Sequence, residues 1–469
     1  MAALVANPAE YLKSTLPANA KVLLVNPPVQ EKRYHWLRWN QPLDLLRLST
    51  WLKESLPRAD VRLFDFMFPD EDATIPRHKI KETWGGVRAE ALWHFGQPFE
   101  EFDRYFDELL KRGWVPDLIV VTSLTSYWHG AIEKLLLRIV NILGPKHRAA
   151  VTIGLYGAYP VIESEHAERQ LTADVVFTAF VDVGECAPDF QLYIGQWNRM
   201  PLFFGLDIES ADVAEHLAMC LTLKSGWDRR LGVSKAQSIT VAFLNDSISG
   251  PKSRLAEVAK QVERYEGRVR IDAICGVKPR LVGVDELEML VELGARSLYI
   301  EYATRADGRL DEAAYAPFRE LLEMDRKRRR GGDETELPVR DAIAAFVNVG
   351  LPTDDVETIV RNTLMLNQYF QAIILKPFGY SPEIDPAPAP VRRERWPVPA
   401  QSSPQWFPYV GHGSTLSLED YDNIMRWQGI VNKRVKSFTF DFLANATVPR
   451  LVRETLVEES WKQNRGGQT

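Results

Sequence analysis

Short apolar runs alternate along the N-terminal part of the chain with longer segments in which apolar residues recur at helical spacing. The runs are of strand length and cover residues 21–26, 61–66, 118–123, 151–154 and 175–177. Helical spacing is clearest after the third run, at Ile132, Leu135, Leu136, Ile139 and Leu143. Apolar strands that alternate with amphipathic helices are typical of a parallel sheet covered on both faces. We therefore predict a doubly wound, Rossmann-type α/β domain over residues 1–195.

Residues 68–115 interrupt this alternation with many aromatic and charged positions, which is typical of an insertion or a helical cover. Within it, Phe99, Phe102, Tyr105 and Phe106 have helical spacing. Such a stripe favours a packing face, with docking of a partner helix as the alternative.

A second series of strand-length runs follows, at residues 238–243, 269–273, 297–301, 342–349 and 372–375. Helical segments separate these runs, and polar residues cluster where each run ends. This pattern predicts a complete or partial (β/α) barrel over residues 196–382. Residues 383–404 are rich in Pro and Arg and indicate an extended linker, and residues 405–469 are expected to be mainly helical.

Composition restricts the function classes. A net charge of −6 gives no reason to expect a nucleic-acid partner. The basic run at 326–332 is interpreted as a solvated helix end, with an acidic partner as the alternative. Only three cysteines occur, far apart, which argues against a disulfide scaffold or a local zinc site and favours the cytoplasm. The chain starts without a secretory signal pattern, and its apolar runs are too short to predict a transmembrane segment.

Polar and glycine residues follow the predicted strands of the first domain. The ends of parallel strands meet at one edge of a sheet, where ligands of doubly wound domains bind. The edge segments are 26–28, 123–125 and 154–157. His166, which follows Glu163 and Glu165, is interpreted as part of a charged helix surface. No P-loop, nucleophile elbow or zinc-protease motif is present, so no catalytic residue is assigned.

Three segments of this domain resemble cobalamin-binding radical S-adenosylmethionine (SAM) proteins, a family whose likeness extends over about residues 20–382. They are KVLLVNPPV at the first strand, TSLTSYWHG after the third and IGLYGAYPVIESEHA at the fourth. The resemblance implies a corrinoid site at the strand ends, formed by Asn26, Pro27, Ser123, Thr125, Trp128, His129, Gly154, Tyr156 and Gly157. The alternative is that these are ordinary loops, with His129 and Trp128 as packing residues. An Asp-x-His-x-x-Gly signature is absent, so the resemblance implies cobalamin without a lower histidine ligand.

The second domain carries looser matches to the same family. Residues 243–248, 300–303 and 350–355 resemble its FxDDxF, GIESG and GLPGET segments, each with departures. The resemblance implies that Asp246 and Glu301 are remnants of a SAM site. Both residues also fit a simpler interpretation as polar residues at strand ends, and SAM binding without a cluster is expected to be weak.

The iron–sulfur motif of that family, Cys-x3-Cys-x2-Cys, has no counterpart here. We align its three positions with Trp227, Leu231 and Ser234, on a loop expected to precede the strand at 238–243. Tryptophan and leucine cannot ligate iron, and serine is a poor replacement for thiolate. No [4Fe–4S] cluster is therefore expected. An intact cluster would require Cys186, Cys220 and Cys275 to converge in space.

Three functions follow from these expectations. The favoured one is a noncatalytic partner, scaffold or regulator that pairs with an active radical SAM homologue or with itself. A second is an enzyme, such as a cobalamin- or SAM-dependent methyltransferase that acts without radicals. The third is a radical SAM enzyme with unusual cluster ligands.

Overall fold

The protein is described by a computed structural model. The structure describes residues 2–32, 42–68, 75–80, 92–123, 128–182, 188–196, 203–206, 208–230, 239–243, 248–250, 253–264, 269–272, 276–295, 297–300, 303–305, 308–331, 344–349, 354–367, 369–370 and 372–377, together with residues 416, 417, 420 and 424.

Strands and helices alternate along most of this range and are numbered in chain order. The strands are β1 (Ala3–Val5), β2 (Lys21–Asn26), β3 (Val29–Lys32), β4 (Asp60–Asp65), β5 (Arg77–Ile80), β6 (Leu92–Phe95), β7 (Leu118–Thr122), β8 (Thr152–Tyr156), β9 (Val175–Phe177), β10 (Phe203–Leu206), β11 (Ile239–Phe243), β12 (Val269–Asp272), β13 (Gly276–Val277), β14 (Ser297–Ile300), β15 (Ala344–Val349) and β16 (Ala372–Pro377). The helices are α1 (Pro8–Thr15), α2 (Leu43–Ser55), α3 (Phe99–Lys111), α4 (His129–Arg148), α5 (Ala158–Ile162), α6 (Ser164–Gln170), α7 (Val213–Arg230), α8 (Leu255–Glu263), α9 (Val284–Glu292), α10 (Ala316–Arg330) and α11 (Val356–Leu366).

The first unit is built on a six-stranded sheet in the order β1-β9-β8-β7-β2-β4, in which all neighbouring strands are parallel. Successive side chains of a strand point to opposite faces, so an apolar strand supplies two cores. Val22 and Leu24 of β2 belong to one buried cluster, while Leu23 and Val25 belong to the other. Both faces are therefore covered, which confirms a parallel α/β fold. The five predicted strands are present, and β1 was missed.

Helices α2 and α4 cover opposite faces of this sheet. Leu45, Leu48 and Leu52 of α2 lie in the cluster that contains Leu24, whereas Ile132 and Leu135 of α4 lie in the cluster that contains Leu23. The two connections that follow β2 and β7 thus leave the sheet in opposite directions.

The segment 68–115 contains structure that the sequence pattern did not predict. Strands β3, β6 and β5 form a small antiparallel sheet in that order. The aromatic stripe of α3 is a packing face: Phe102 and Phe106 are fully buried against the six-stranded sheet. The interpretation of this stripe as core is therefore confirmed.

The second unit contains two parallel sheets that follow each other along the chain. Their orders are β10-β11-β12 and β13-β14-β15-β16, and β12 ends at Asp272, shortly before β13 begins at Gly276. The described strand pairings leave the two sheets separate, so a barrel remains a prediction. The linker at 383–404 lies outside the described residues, as does almost all of 405–469. The end of α10 carries the basic run, in which Arg329 pairs with Asp325 at 3.2 Å and Arg328 pairs with Glu288.

Two elements of this unit correct the expected position of Trp227. The first strand is β10, and it is followed after a short loop by α7, which contains Trp227. Trp227 therefore lies in a helix and not on the expected loop before β11. In the sequence, a four-residue run such as β10 cannot be distinguished from a loop, because only its pairing with β11 identifies it as a strand. Leu231 and Ser234 lie outside the described residues. Within the described part of the chain, no helix is long and apolar enough to cross a membrane.

Asn362 on α11 anchors a neighbouring turn, and its replacement is expected to be costly. Its amide oxygen accepts from the Leu310 amide at 3.0 Å, and its amide nitrogen donates to the Gly308 carbonyl at 3.1 Å. The side chain is buried, so Asn362→Leu would leave two backbone groups without a hydrogen-bond partner. This should lower the free energy of unfolding by about 2–4 kcal/mol. Asn362→Gln, which keeps the donor and the acceptor on a side chain one methylene longer, should show a smaller loss in urea titrations. Equal losses would contradict this account.

Candidate functional site

The order of the six strands places a topological switch point, the position where sheets of this class bind ligands, between two neighbouring strands. Strand β2 pairs with β4 on one side and with β7 on the other, and the helices after β2 and β7 lie on opposite faces. In sheets with this order, ligands bind between the starts of two such helices, beyond the carboxyl ends of the strands. Here that position lies between the start of α2 and the start of α4. We call it the switch-point crevice and define it by Asn26, Asp44, Thr122, Ser123, His129 and Gly157.

Gly157, directly after β8, brings backbone unusually close to the end of β7. Its φ is +108° and its ψ is −175°, a conformation that is essentially restricted to glycine. A Cβ atom at this position would lie 2.5 Å from Thr122 Oγ1, 2.7 Å from the Ser123 carbonyl oxygen and 3.0 Å from Asp44 Oδ2. The end of β8 can pack here only because residue 157 has no side chain.

Backbone hydrogen bonds fix the same junction. The Ser123 amide donates to the Tyr156 carbonyl at 3.1 Å, and the Tyr159 amide donates to the Ser123 carbonyl at 3.0 Å. The β7 and β8 ends therefore form a fixed edge of the crevice.

Asp44 connects the start of α2 to the end of β7. It lies in the first turn of α2, accepts a hydrogen bond from the Thr122 hydroxyl, and accepts another from the Leu45 amide at 2.8 Å. Burial of the carboxyl raises the pKa of Asp44 above its ordinary value, and the bond from Thr122 partly offsets that shift. A carboxylate in the first turn is also favoured by the helix dipole.

A second polar network holds the ends of β2 and β4 together. Asp65 accepts from the Asn26 side-chain amide at 2.7 Å, from the Tyr193 hydroxyl at 2.8 Å and from the Met67 backbone amide at 2.9 Å. Burial and the nearby Asp65 carboxylate raise the pKa of Tyr193, so the phenol keeps its proton and acts as a donor. The contact of Asn26 with Asp65 is thus structural, and it sets the position of the β2 end beside the crevice.

A buried aromatic cluster lies beside the α4 wall. The Tyr159 hydroxyl is 2.6 Å from Nδ1 of His166, and the His166 ring lies edge-on to the ring of His129, with centroids 5.3 Å apart. Burial, and to a smaller degree His129, lowers the pKa of His166 to about 3. The expectation that His166 lies on a charged helix surface is wrong, because its side chain is only 8% exposed.

The predicted edge residues converge only in part. Asn26, Pro27, Ser123, Trp128, His129 and Gly157 all lie at the carboxyl end of the sheet. Gly154 instead lies inside β8, where a Cβ atom would be 2.8 Å from Cε2 of Phe177, so packing explains this glycine. Tyr156 packs against Phe177 and Phe180, and its hydroxyl accepts from the Val181 amide at 3.1 Å.

Several residues of the crevice were missed, and other predicted residues cannot be placed. Asp44, Tyr159 and Tyr193 carry no local sequence signal, since their partners are remote or depend on burial. Thr125, Asp246 and Glu301 lie outside the described residues. Their assignments stay predictions.

The described part of the second unit contains a single cysteine, Cys220. Residues 207–212, between β10 and α7, have the sequence Asp-Ile-Glu-Ser-Ala-Asp and contain no cysteine. Cys220 lies on α7, and burial raises its thiol pKa well above the ordinary value, which disfavours the thiolate needed for ligation. Cys186 and Cys275 lie outside the described residues. No group of three potential metal-ligating side chains occurs among the residues that were placed.

Comparison with known proteins identifies structural neighbours only. No family model matches the sequence, and no curated protein matches it. The cobalamin-dependent SAM radical enzyme OxsB with aqua-cobalamin bound aligns with a TM-score of 0.44 and 12% identity, over 78% of this chain and 54% of that chain. The radical SAM methyltransferase TsrM from Kitasatospora setae, with cobalamin and a [4Fe–4S] cluster bound, aligns with a TM-score of 0.41 and 12% identity, over 78% and 77% of the two chains. The chain spans about half the length of the OxsB structures. Its structural neighbours are cobalamin-dependent radical SAM enzymes.

Proposed function

We propose that the first unit binds cobalamin in the switch-point crevice and that the protein works without a radical centre, as a noncatalytic partner of an active homologue. The observation that carries the binding proposal is the strand order. Without β1, the order is that of flavodoxin-like sheets, which bind their cofactor between the two strands that flank the reversal. Those strands are β2 and β7 here. The resemblance of three edge segments to cobalamin-binding proteins supplies the identity of the cofactor.

The residues of the crevice fit a large cofactor in one specific way. Gly157 lets the end of β8 pack directly against Thr122 and Ser123, so the strand ends form a close-packed edge for a flat ligand to lie on. Asp44 and Thr122 bond to each other and keep this edge polar. When bound, cobalamin would supply a cobalt centre able to carry a methyl group. The role of this chain is to bind and orient that group.

The absence of radical chemistry is proposed from the cysteines. The chain has three, none lies between β10 and α7, and Cys220 is a buried thiol. Partner binding is the remaining role that we assign to the second unit. It rests on this cysteine distribution and on the family resemblance.

Titration with hydroxocobalamin tests the proposal. We expect the anaerobically purified protein to bind one cobalamin per chain, with the spectrum of a corrinoid that lacks a lower histidine ligand. After iron and sulfide reconstitution, we expect no cluster absorbance and no 5′-deoxyadenosine from SAM. Failure to bind cobalamin would contradict the binding proposal. A full cluster with reductive SAM cleavage would contradict the second part, and methyl transfer from bound methylcobalamin would favour the enzyme alternative.

A further inference from the structure

We infer that His166 is a hydrogen-bond donor to the cofactor: its Nε2–H, set by Tyr159, takes an acceptor oxygen of the bound cobalamin. The acceptor is an amide carbonyl on the corrin ring or the phosphate of the nucleotide tail. Both offer an oxygen atom that can accept a hydrogen bond from an imidazole N–H. This inference rests on the proposed function, since it names the group that orients cobalamin in the crevice.

The position of His166 places it beside the crevice. It lies on α6, which follows Gly157 and the short helix α5. Its ring contacts that of His129, the first residue of α4, at a centroid distance of 5.3 Å and an interplanar angle of 85°. Since the start of α4 is one wall of the crevice, His166 lies against that wall.

Tyr159 determines which nitrogen of His166 carries the proton. Burial raises the pKa of the Tyr159 phenol, so its oxygen stays protonated. The bond to His166 Nδ1 is the only hydrogen bond of this hydroxyl within the described part of the chain. The phenol must therefore donate its proton in that bond, and Nδ1 accepts. A neutral imidazole whose Nδ1 accepts carries its hydrogen on Nε2.

The Nε2–H that results is buried, and no described residue or backbone group accepts from it. The side chain is 8% exposed, so bulk water gives little compensation. Native proteins pair nearly all buried donors, and an exception calls for an explanation such as a ligand. The imidazole is neutral because burial lowers its pKa. It therefore suits a hydrogen bond to an oxygen atom and does not act as a fixed positive charge.

The test compares hydroxocobalamin affinity in the wild-type protein and in four variants. We expect His166→Leu to weaken binding about tenfold, the value of one buried hydrogen bond. His166→Gln keeps an N–H near the position of Nε2 and should stay within about threefold of wild type. Tyr159→Phe removes the hydroxyl that fixes the tautomer of His166. Its affinity for hydroxocobalamin should lie between those of wild type and His166→Leu, about threefold weaker than wild type. His94→Gln, a buried histidine outside the crevice whose Nε2 pairs with the Gln97 carbonyl at 2.9 Å, is the matched control and should bind as wild type.

Two further readouts separate a ligand role from simple packing. Without ligand, the double variant His166→Leu/Tyr159→Phe should unfold at the same or a higher temperature than wild type, because it removes the unpaired Nε2–H together with the phenol that His166→Leu alone would leave without a partner. Cobinamide, which lacks the nucleotide tail, distinguishes the acceptors: the tenfold difference persists if the acceptor is a corrin amide and vanishes if it is the phosphate. Equal hydroxocobalamin affinity of wild type and His166→Leu would overturn this inference and leave the proposed function standing. No binding by wild type would overturn both.

Discussion

Replacing Gly157 by alanine is expected to lower the free energy of unfolding by about 4 kcal/mol and to abolish cobalamin binding. Two effects add at this position. The backbone conformation, with φ of +108° and ψ of −175°, is strained for any residue with a side chain. The new Cβ would also lie 2.5 Å from Thr122 Oγ1 and 2.7 Å from the Ser123 carbonyl, so β7 and β8 would have to separate. Urea unfolding and hydroxocobalamin titration measure the two losses.

Gly113→Ala is the matched control for backbone strain. Gly113 also has a positive φ, +76°, but nothing lies within 4 Å of a Cβ built there. Its replacement should therefore cost only about 1 kcal/mol and leave cobalamin binding unchanged. Equal destabilisation by the two alanines would show that the close packing of residue 157 against Thr122 and Ser123 does not contribute to stability.

Lowering the pH from 7 to 4.5 is expected to destabilise the fold by about 2–3 kcal/mol for each of two buried histidines. Burial lowers the pKa of His94 to about 4 and that of His166 to about 3, from an ordinary value of 6.5. Between the folded and ordinary pKa values the unfolded chain binds protons that the folded chain does not. The contribution of the two neutral histidines to stability is therefore fully present above about pH 6.5. It is lost as the pH falls toward their folded pKa values of about 4 and about 3.

The neighbours of His94 shift its pKa in both directions, and the Asp44 carboxyl opposes the effect of the histidines on stability. His78 and Lys134 lower the pKa of His94 further, while Glu100 and the Gln97 carbonyl raise it. The raised pKa of Asp44 acts the other way, because the folded protein then binds a proton more readily than the unfolded chain.

The test is therefore the slope of stability against pH, measured by urea unfolding at several pH values. His94→Phe and His166→Phe should each reduce the slope between pH 6.5 and 4.5, and the double variant should reduce it most. His147→Gln, at the last turn of α4, is the matched control for histidine content. An unchanged slope in the double variant would contradict the assignment.

The apolar runs of the sequence predicted the first sheet well, because a strand that is buried on both faces appears as a continuous apolar run. Strands β2, β4, β7, β8 and β9 all appear where such runs occur. The short strands β1 and β10 were missed, since three or four residues carry no period that a loop could not also show. The expected loop before β11 includes residues of α7, so Trp227 lies in a helix and not on a loop.

The crevice was predicted at the level of strand ends but not of side chains. Parallel strands must end at one edge, so Ser123, His129 and Gly157 could be grouped from the sequence. Asp44 meets Thr122 across 78 positions of the chain, and no local pattern indicates such a contact. His166 has charged neighbours in the sequence, yet helix α6 turns it inward against Tyr159.

By itself the sequence determined the parallel α/β class, the edge at which ligands are expected and the scarcity of cysteine. These follow from the burial pattern, the chain direction and the composition, none of which depends on contacts between distant segments. Only the tertiary structure decided the strand order that defines the crevice, the close approach that requires Gly157, and the burial that leaves the Nε2–H of His166 without an acceptor among the described residues. These depend on contacts between distant segments, whose geometry exists only after the sheet has assembled.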